Sequence, residues 1–156
     1  MTELLRPATV DRIIADLRVR TKPDAFRLLA RRAAERVGLP EDPIFEALTY
    51  RETLGTTAVG RGIAIPHAVI PELRETFKLF ARLVPPVPFG AADGVPVSLV
   101  FLLLTPPDRA AESTHLLASI CRALRDPVTL AAVSGAADDR QLQAVLEAAM
   151  AGRRQA

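Results

Sequence analysis

Two histidines, one cysteine and a loop with three glycines are the residues of this 156-residue chain whose types and spacing could do chemistry. His67 has the most distinctive setting: it follows Pro66 at the end of GTTAVGRGIAIPH, the stretch that begins at Gly55. Proline fixes its own φ and restricts Ile65, so the chain entering His67 is pre-organised. Gly55, Gly60 and Gly62 would let backbone approach a ligand. A neutral imidazole at cell pH can accept and release a phosphoryl group or shuttle a proton. On spacing alone a histidine in such a loop is more often a hydrogen-bonding surface residue than a catalytic one.

Arg51 is the second candidate. If a helix persists that far, Ile44, Leu48 and Arg51 fall at i, i+4 and i+7, which places a guanidinium on an apolar side. A charge there needs a carboxylate or an anionic ligand, and phosphate would satisfy it. The other reading has the helix fraying at Thr49, with Arg51 reaching water or pairing with Glu52. His115 falls opposite the apolar stripe of Leu116, Leu117, Ile120 and Leu124, which reads as a surface histidine. Cys121 borders that stripe and reads as a small core hydrophobe. Two histidines without HExxH or Cys/His spacing argue against a metal site. Gly60-Arg61-Gly62 matches neither the Walker loop nor the dinucleotide fingerprint.

The elements that would hold these residues come from the apolar periodicity. Residues 21–38 read as a helix capped by Thr21 and ended by Gly38, with Phe26, Leu29, Ala30, Ala33 and Val37 on its buried face. A second helix starts at Glu41 and Asp42, buries Ile44, Phe45 and Leu48, and ends before Gly55. A shorter helix is expected over Ala8 to Leu17, from Val10, Ile13, Ile14 and Leu17. After Gly55 the texture is loop with short strands. Phe77 to Leu83 alternates as a strand with one face buried and one partly so. Val97 to Leu104 is apolar at odd and even positions except Ser98, so it must be covered on both faces. Helices follow at Arg109 to Arg125, after Asp126-Pro127, and from Asp138 with Leu142, Val145, Leu146 and Ala149. The clusters Pro85-Pro86-Val87-Pro88 and Pro106-Pro107 read as stiff connections. The expected architecture is α/β: a mixed sheet sandwiched between helical layers in a single domain spanning residues 1–156.

Composition narrows the function classes. Hydrophobic residues make up 49% and charged residues 24%, which permits a packed core and argues against disorder. A net charge of +2, with only six Phe and one Tyr for stacking, implies no nucleic-acid partner. No apolar run approaches the roughly 20 residues of a membrane span, so no membrane insertion is expected. The N-terminal stretch lacks the pattern of an export signal, and one cysteine fits a reducing compartment; both point to the cytoplasm.

Arg51-Glu52-Thr53-Leu54-Gly55, Thr57, Gly60-Arg61-Gly62-Ile63-Ala64-Ile65-Pro66-His67, Phe89-Gly90-Ala91-Ala92-Asp93 with Pro96-Val97, and His115-Leu116-Leu117 form a combined pattern. It resembles the enzyme IIA domains of fructose/mannitol type of the phosphoenolpyruvate-dependent phosphotransferase system, over nearly the whole chain. Within that family the chain looks most like the nitrogen-related regulatory branch, from Thr49 to His67 and the stretch VPVSLVFLLLTPPD. The resemblance implies that His67 accepts a phosphoryl group on Nε2 from an HPr-like phosphocarrier protein, with Arg51 and His115 stabilising the transferred group. Gly60, Gly62 and Pro66 would support the loop, and no metal, nucleotide or other cofactor would be needed. It also implies regulatory target proteins, potassium transport regulators among them. Arg61, Arg82 and Arg109 depart from the family pattern and would alter partner choice. Two rival functions stand beside this one: a sugar-specific IIA that passes phosphate to a IIB partner, and a signalling module that binds an anion or partner without covalent phosphorylation.

Overall fold

Six strands share one sheet, among them the apolar stretches that lack a helical period. In the computed structural model, which describes residues 10–155, the chain runs β1 (Arg12–Arg18), α1 (Lys22–Val37), α2 (Glu41–Thr53), β2 (Ala58–Gly60), β3 (Ile63–Ala64), β4 (His67–Val69), β5 (Phe77–Val87) and β6 (Val97–Thr105). A 3-10 turn at Pro107–Arg109 then leads to α3 (Ala110–Arg125), α4 (Pro127–Gly135) and α5 (Asp139–Gln155). The sheet order is β1-β5-β6-β3-β2, with β4 pairing on β6 as well. β5 runs antiparallel to β6, whereas β1 is parallel to β5 and both β3 and β4 are parallel to β6.

β6 is the doubly covered strand its composition requires. Val100, Leu102 and Leu104 pack on one face with Leu29, Ile44 and Leu48 of α1 and α2. Leu99 and Phe101 pack on the other with Ile120 and Leu124 of α3 and Leu142 and Leu146 of α5. The expected sandwich of a mixed sheet between helical layers is therefore the observed one.

Local signals set the helix ends. The Thr21 hydroxyl accepts from Asp24 N at 3.2 Å, and Gly38 closes α1 at φ 72°, a left-handed conformation that suits glycine. Asp138 accepts from Gln141 N at 2.9 Å at the start of α5.

Two expectations are corrected. The segment expected as a helix over Ala8 to Leu17 is strand from Arg12 onward; Ala8 and Thr9 lie outside the described residues. A register shift between Ile14 and Leu17 breaks the two-residue alternation, and Ile13 and Ile14 pack against opposite helix layers. The resulting apolar spacing imitates a helix. Pro85 and Pro86 lie within β5 rather than in a connection. They fall between the Arg82–Leu99 and Val87–Val97 pairings, where the ladder is irregular and a missing N–H is tolerated.

Arg82 is also not a loop charge available to partners. Its Nε donates to Ala15 O at 2.8 Å, and its Nη1 donates to Val133 O at 3.1 Å and to Ala136 O. The side chain is 14% exposed, with Asp16 3.8 Å away. The guanidinium thus bonds carbonyls at the C-terminal end of α4, where the helix supplies few N–H partners, and ties that end to β1. Replacing Arg82 by Met strands several carbonyls at once, and is expected to cost about 2–4 kcal/mol of stability. Chemical denaturation would show a lowered midpoint; an unchanged midpoint would contradict the latch.

Candidate functional site

β3 and β4 lie end to end along the same edge of β6, and Pro66 stands between them. Ile63 and Ala64 pair with Leu99 and Val100, then His67 to Val69 pair with Leu103 to Thr105. At the break Ile65 N donates to Thr57 O at 3.0 Å, and Pro66 O accepts from Leu103 N at 3.0 Å. Pro66, which has no N–H to offer, occupies the interruption. His67 opens the short strand β4, which is paired to the central strand β6, so the surface-loop reading does not describe it.

The ring of His67 is held from both nitrogens. Nδ1 lies 2.8 Å from Ile65 O, and a carbonyl can only accept, so Nδ1 carries the proton. Nε2 is then unprotonated, and Arg51 Nε–H donates to its lone pair at 3.3 Å. Two separate contacts agree on one tautomer, and they leave the nucleophilic lone pair on Nε2 beside a guanidinium. α2 extends through Thr53, so Arg51 remains helical and half-buried, as the apolar-side reading requires. Its Nη1 donates to Gly55 O at 2.9 Å.

Arg51 does not pair with Glu52. The Glu52 carboxylate, whose side chain is 7% exposed, meets Lys22 Nζ at 2.8 Å. It also accepts from Thr57 Oγ1 at 2.6 Å, from Thr57 N at 3.1 Å and from Thr56 Oγ1 at 2.7 Å. Burial pushes its carboxyl up, but the hydrogen bonds from Lys22, Thr57 and Thr56 prevail and hold it below the ordinary carboxylate value. Sequence reasoning gave Glu52 no role of its own; its place beside Arg51 in the Arg-Glu pair was the available signal.

The remaining expected site residues are placed as follows. Gly60 and Gly62, at φ 93° and 78°, form the turn from β2 to β3 with Arg61, itself at φ 59°. Arg61 N donates to Asp93 Oδ2 at 2.8 Å, and Val95 N donates to Asp93 Oδ1 at 3.0 Å. A Cβ on Gly60 would come within 3.1 Å of Asp93, and one on Gly62 within 3.3 Å of Pro96 O. These two glycines therefore admit the chain's own 93–98 loop, not a ligand, and the GRG and FGAAD segments clasp each other. Arg61 Nη1 donates to Arg125 O. Cys121 is half-buried against the α3–α5 core, and burial raises its thiol pKa. His115 is exposed on α3.

His67 and Arg51 open into a cleft of about 270 Å³ whose rim includes Tyr50, Leu54, Ala68, Val69 and Ser113. His115 is not part of that lining. Tyr50 and Leu54 are each 67% exposed and Val69 46%, which are uncommon exposures for large hydrophobics and concentrate here. Among the described residues no group of His, Cys, Asp or Glu could hold a metal ion, and no helix is long and apolar enough to cross a membrane. Burial lowers the pKa of His67, and the Arg51 charge adds to this against the Ile65 carbonyl and the Glu52 charge. The unfolded chain thus binds the proton more readily. This group's contribution to stability is complete above the ordinary value of 6.5 and is lost as pH falls through the lower folded midpoint. An NMR titration of the His67 ring should give a midpoint below 6.5, with stability declining as pH falls below that value; a midpoint at or above it would contradict the buried, Arg-flanked geometry.

Comparison with known proteins identifies the family. Residues 7–149 match the family model described as phosphoenolpyruvate-dependent sugar phosphotransferase system, EIIA 2. The chain is 44% identical over 146 residues to a nitrogen regulatory protein of Bradyrhizobium diazoefficiens, covering 94% of each. The crystal structure of nitrogen regulatory protein IIA-Ntr from Neisseria meningitidis superposes with a TM-score of 0.81 at 30% identity, over 86% of this chain and 92% of that one. The crystal structure of IIA mannitol from Escherichia coli shares the fold, with a TM-score of 0.72 at 20% identity over 86% and 94%. With its mixed sheet between two helix layers, the chain belongs to the EIIA 2 family of the phosphoenolpyruvate-dependent sugar phosphotransferase system, among relatives named nitrogen regulatory proteins.

Proposed function

We propose that this protein is a regulatory phosphoryl carrier that takes a phosphoryl group onto Nε2 of His67 from the phosphohistidine of an HPr-like protein. The observation that carries the reading is the fixed tautomer: Nδ1–H on Ile65 O and the Nε2 lone pair facing Arg51. Nε2 attacks phosphorus in line as the phosphorus–nitrogen bond of the donor breaks, and that electron pair returns to the donor imidazole. Positive charge develops on the His67 ring as the new bond forms, and Ile65 O, which already holds the Nδ1 proton, stabilises it. Arg51 Nε leaves the lone pair and donates to an equatorial oxygen of the transferring group, where charge stabilisation and positioning supply most of the catalysis.

The exposed Tyr50, Leu54 and Val69 around the cleft fit a protein donor, because an apolar rim excludes water when two imidazoles meet. The regulatory assignment follows the names of the relatives, and its partners would be an HPr-like phosphocarrier and regulatory target proteins in the cytoplasm. A sugar-specific IIA feeding a IIB protein is the second reading, favoured by the sugar system named in the family description. His115, exposed on α3 and outside the cleft lining, is assigned a supporting part in stabilising the transferred group.

Incubation with phosphoenolpyruvate, enzyme I and an HPr-like carrier should give one acid-labile phosphoryl adduct by mass spectrometry. His67→Ala should abolish it and His115→Ala should slow but not abolish it. Arg51→Ala should reduce the rate about 10²–10³-fold, and Arg51→Lys should not restore it, because a lysine cannot keep the guanidinium's fixed fork. Absence of label on the wild-type protein with competent donors would sink the carrier reading in favour of non-covalent anion or partner binding. Passage of label to a cognate IIB with sugar phosphorylation would favour the sugar-specific role.

A further inference from the structure

Glu52 lies behind the reactive pair, and its contacts form a continuous path to the His67 ring. Its carboxylate accepts from Thr57 N and from Thr57 Oγ1, so it fixes that residue through backbone and side chain together. Thr57 O accepts from Ile65 N at 3.0 Å, and Ile65 O accepts from His67 Nδ1 at 2.8 Å. The same carboxylate meets Lys22 Nζ at 2.8 Å, and that ammonium also donates to Phe89 O at 3.0 Å. The path joins α1, the C-terminal end of α2, the loop before β2 and the break between β3 and β4.

We propose that Glu52 is a positioning residue for phosphoryl transfer: through Thr57 and Ile65 it holds the His67 ring in the Nδ1–H tautomer and so keeps Nε2 bare. This deepens the carrier reading and rests on it for its consequence in rate, but the tautomer itself is a property of the unphosphorylated protein. Glu52 never touches the phosphoryl group. Its effect comes from where it puts the Ile65 carbonyl, because an imidazole free of that acceptor distributes its proton between both nitrogens. Lys22 is 27% exposed at its side chain, so its ammonium can turn to water when Glu52 is removed.

The test uses Glu52→Ala and Glu52→Gln in the full chain, each checked for folding by amide dispersion and a denaturation midpoint. Long-range proton–nitrogen NMR of the ring reads the tautomer without any donor. Phosphoramidate, a small chemical donor that needs no partner surface, reads the rate. Wild type should show Nδ1 protonated and Nε2 bare. Glu52→Ala should show mixed tautomers and an initial phosphorylation rate lower by roughly 10–100-fold. Glu52→Gln keeps one acceptor oxygen and the side-chain volume, and should fall between the two in both readouts. It also carries the test if Glu52→Ala does not fold. An unchanged tautomer ratio in the folded variants overturns the proposal, and so does a changed ratio with an unchanged rate. If wild type takes no phosphate from either phosphoramidate or the protein donor, the carrier reading fails separately, and the tautomer measurement alone decides whether Glu52 positions the ring.

Discussion

The 2.8 Å hydrogen bond from His67 Nδ1 to Ile65 O is the contact on which the functional geometry depends. It selects one of two nearly equivalent nitrogens as nucleophile, and it forms where the strand is interrupted for two residues between β3 and β4. Ile65 and Pro66 form that interruption. Had β3 run straight into β4, the Ile65 carbonyl would be held in the plane of the sheet by a ladder bond, with its direction set by the strand. The fold around the site can be understood as what makes the interruption affordable: Ile65 N is satisfied by Thr57 O, and Pro66 has no N–H to satisfy.

That break is anchored by the strand most deeply buried in the molecule. Leu99 through Leu104 are each 2% exposed or less, and both helix layers rest on them. A nucleophile attached to such a strand loses little rigidity to local opening, which concentrates where buried apolar contacts are few. The partner-facing rim takes the opposite solution. Tyr50 and Leu54 come from the exposed side of α2 near its end, and Val69 from the last residue of β4. The molecule therefore joins a rigid reacting atom to an apolar, solvent-exposed collar on one small area of surface.

The sequence made the central strand and the α1, α2 and α5 boundaries legible because single local rules govern them: a continuous apolar run, a threonine cap, an acidic first turn, an aspartate cap. β1 was illegible for an equally local reason. Its register shift between Ile14 and Leu17 puts apolar residues at spacings that two kinds of element share, and only pairing with β5 decides between them. The site divides in the same way. His67 and Arg51 announce themselves by type and setting, while the use of Gly60 and Gly62 depends on Asp93, more than 30 residues away, coming back to meet Arg61 N. Arg82 shows the limit most clearly, since a charge between apolar strand residues looks like surface until the carbonyls of α4 arrive beside it.

Arg51 and Glu52 are adjacent in sequence and opposite in charge, and the pairing expected of neighbours would have disabled the site. A guanidinium already bound to a carboxylate has little field left for a phosphoryl oxygen. One helical step of about 100° separates the two side chains, and each side chain meets a different neighbourhood. Glu52 turns toward Lys22, Thr56 and Thr57, where its negative charge is fully engaged, and Arg51 turns toward His67 with only neutral acceptors, Gly55 O and the imidazole. The Lys22–Glu52 pair thus does more than join α1 to α2. By occupying the nearest carboxylate, it preserves an arginine whose charge is held in place but not neutralised, the state in which a cation meets an arriving dianion most strongly.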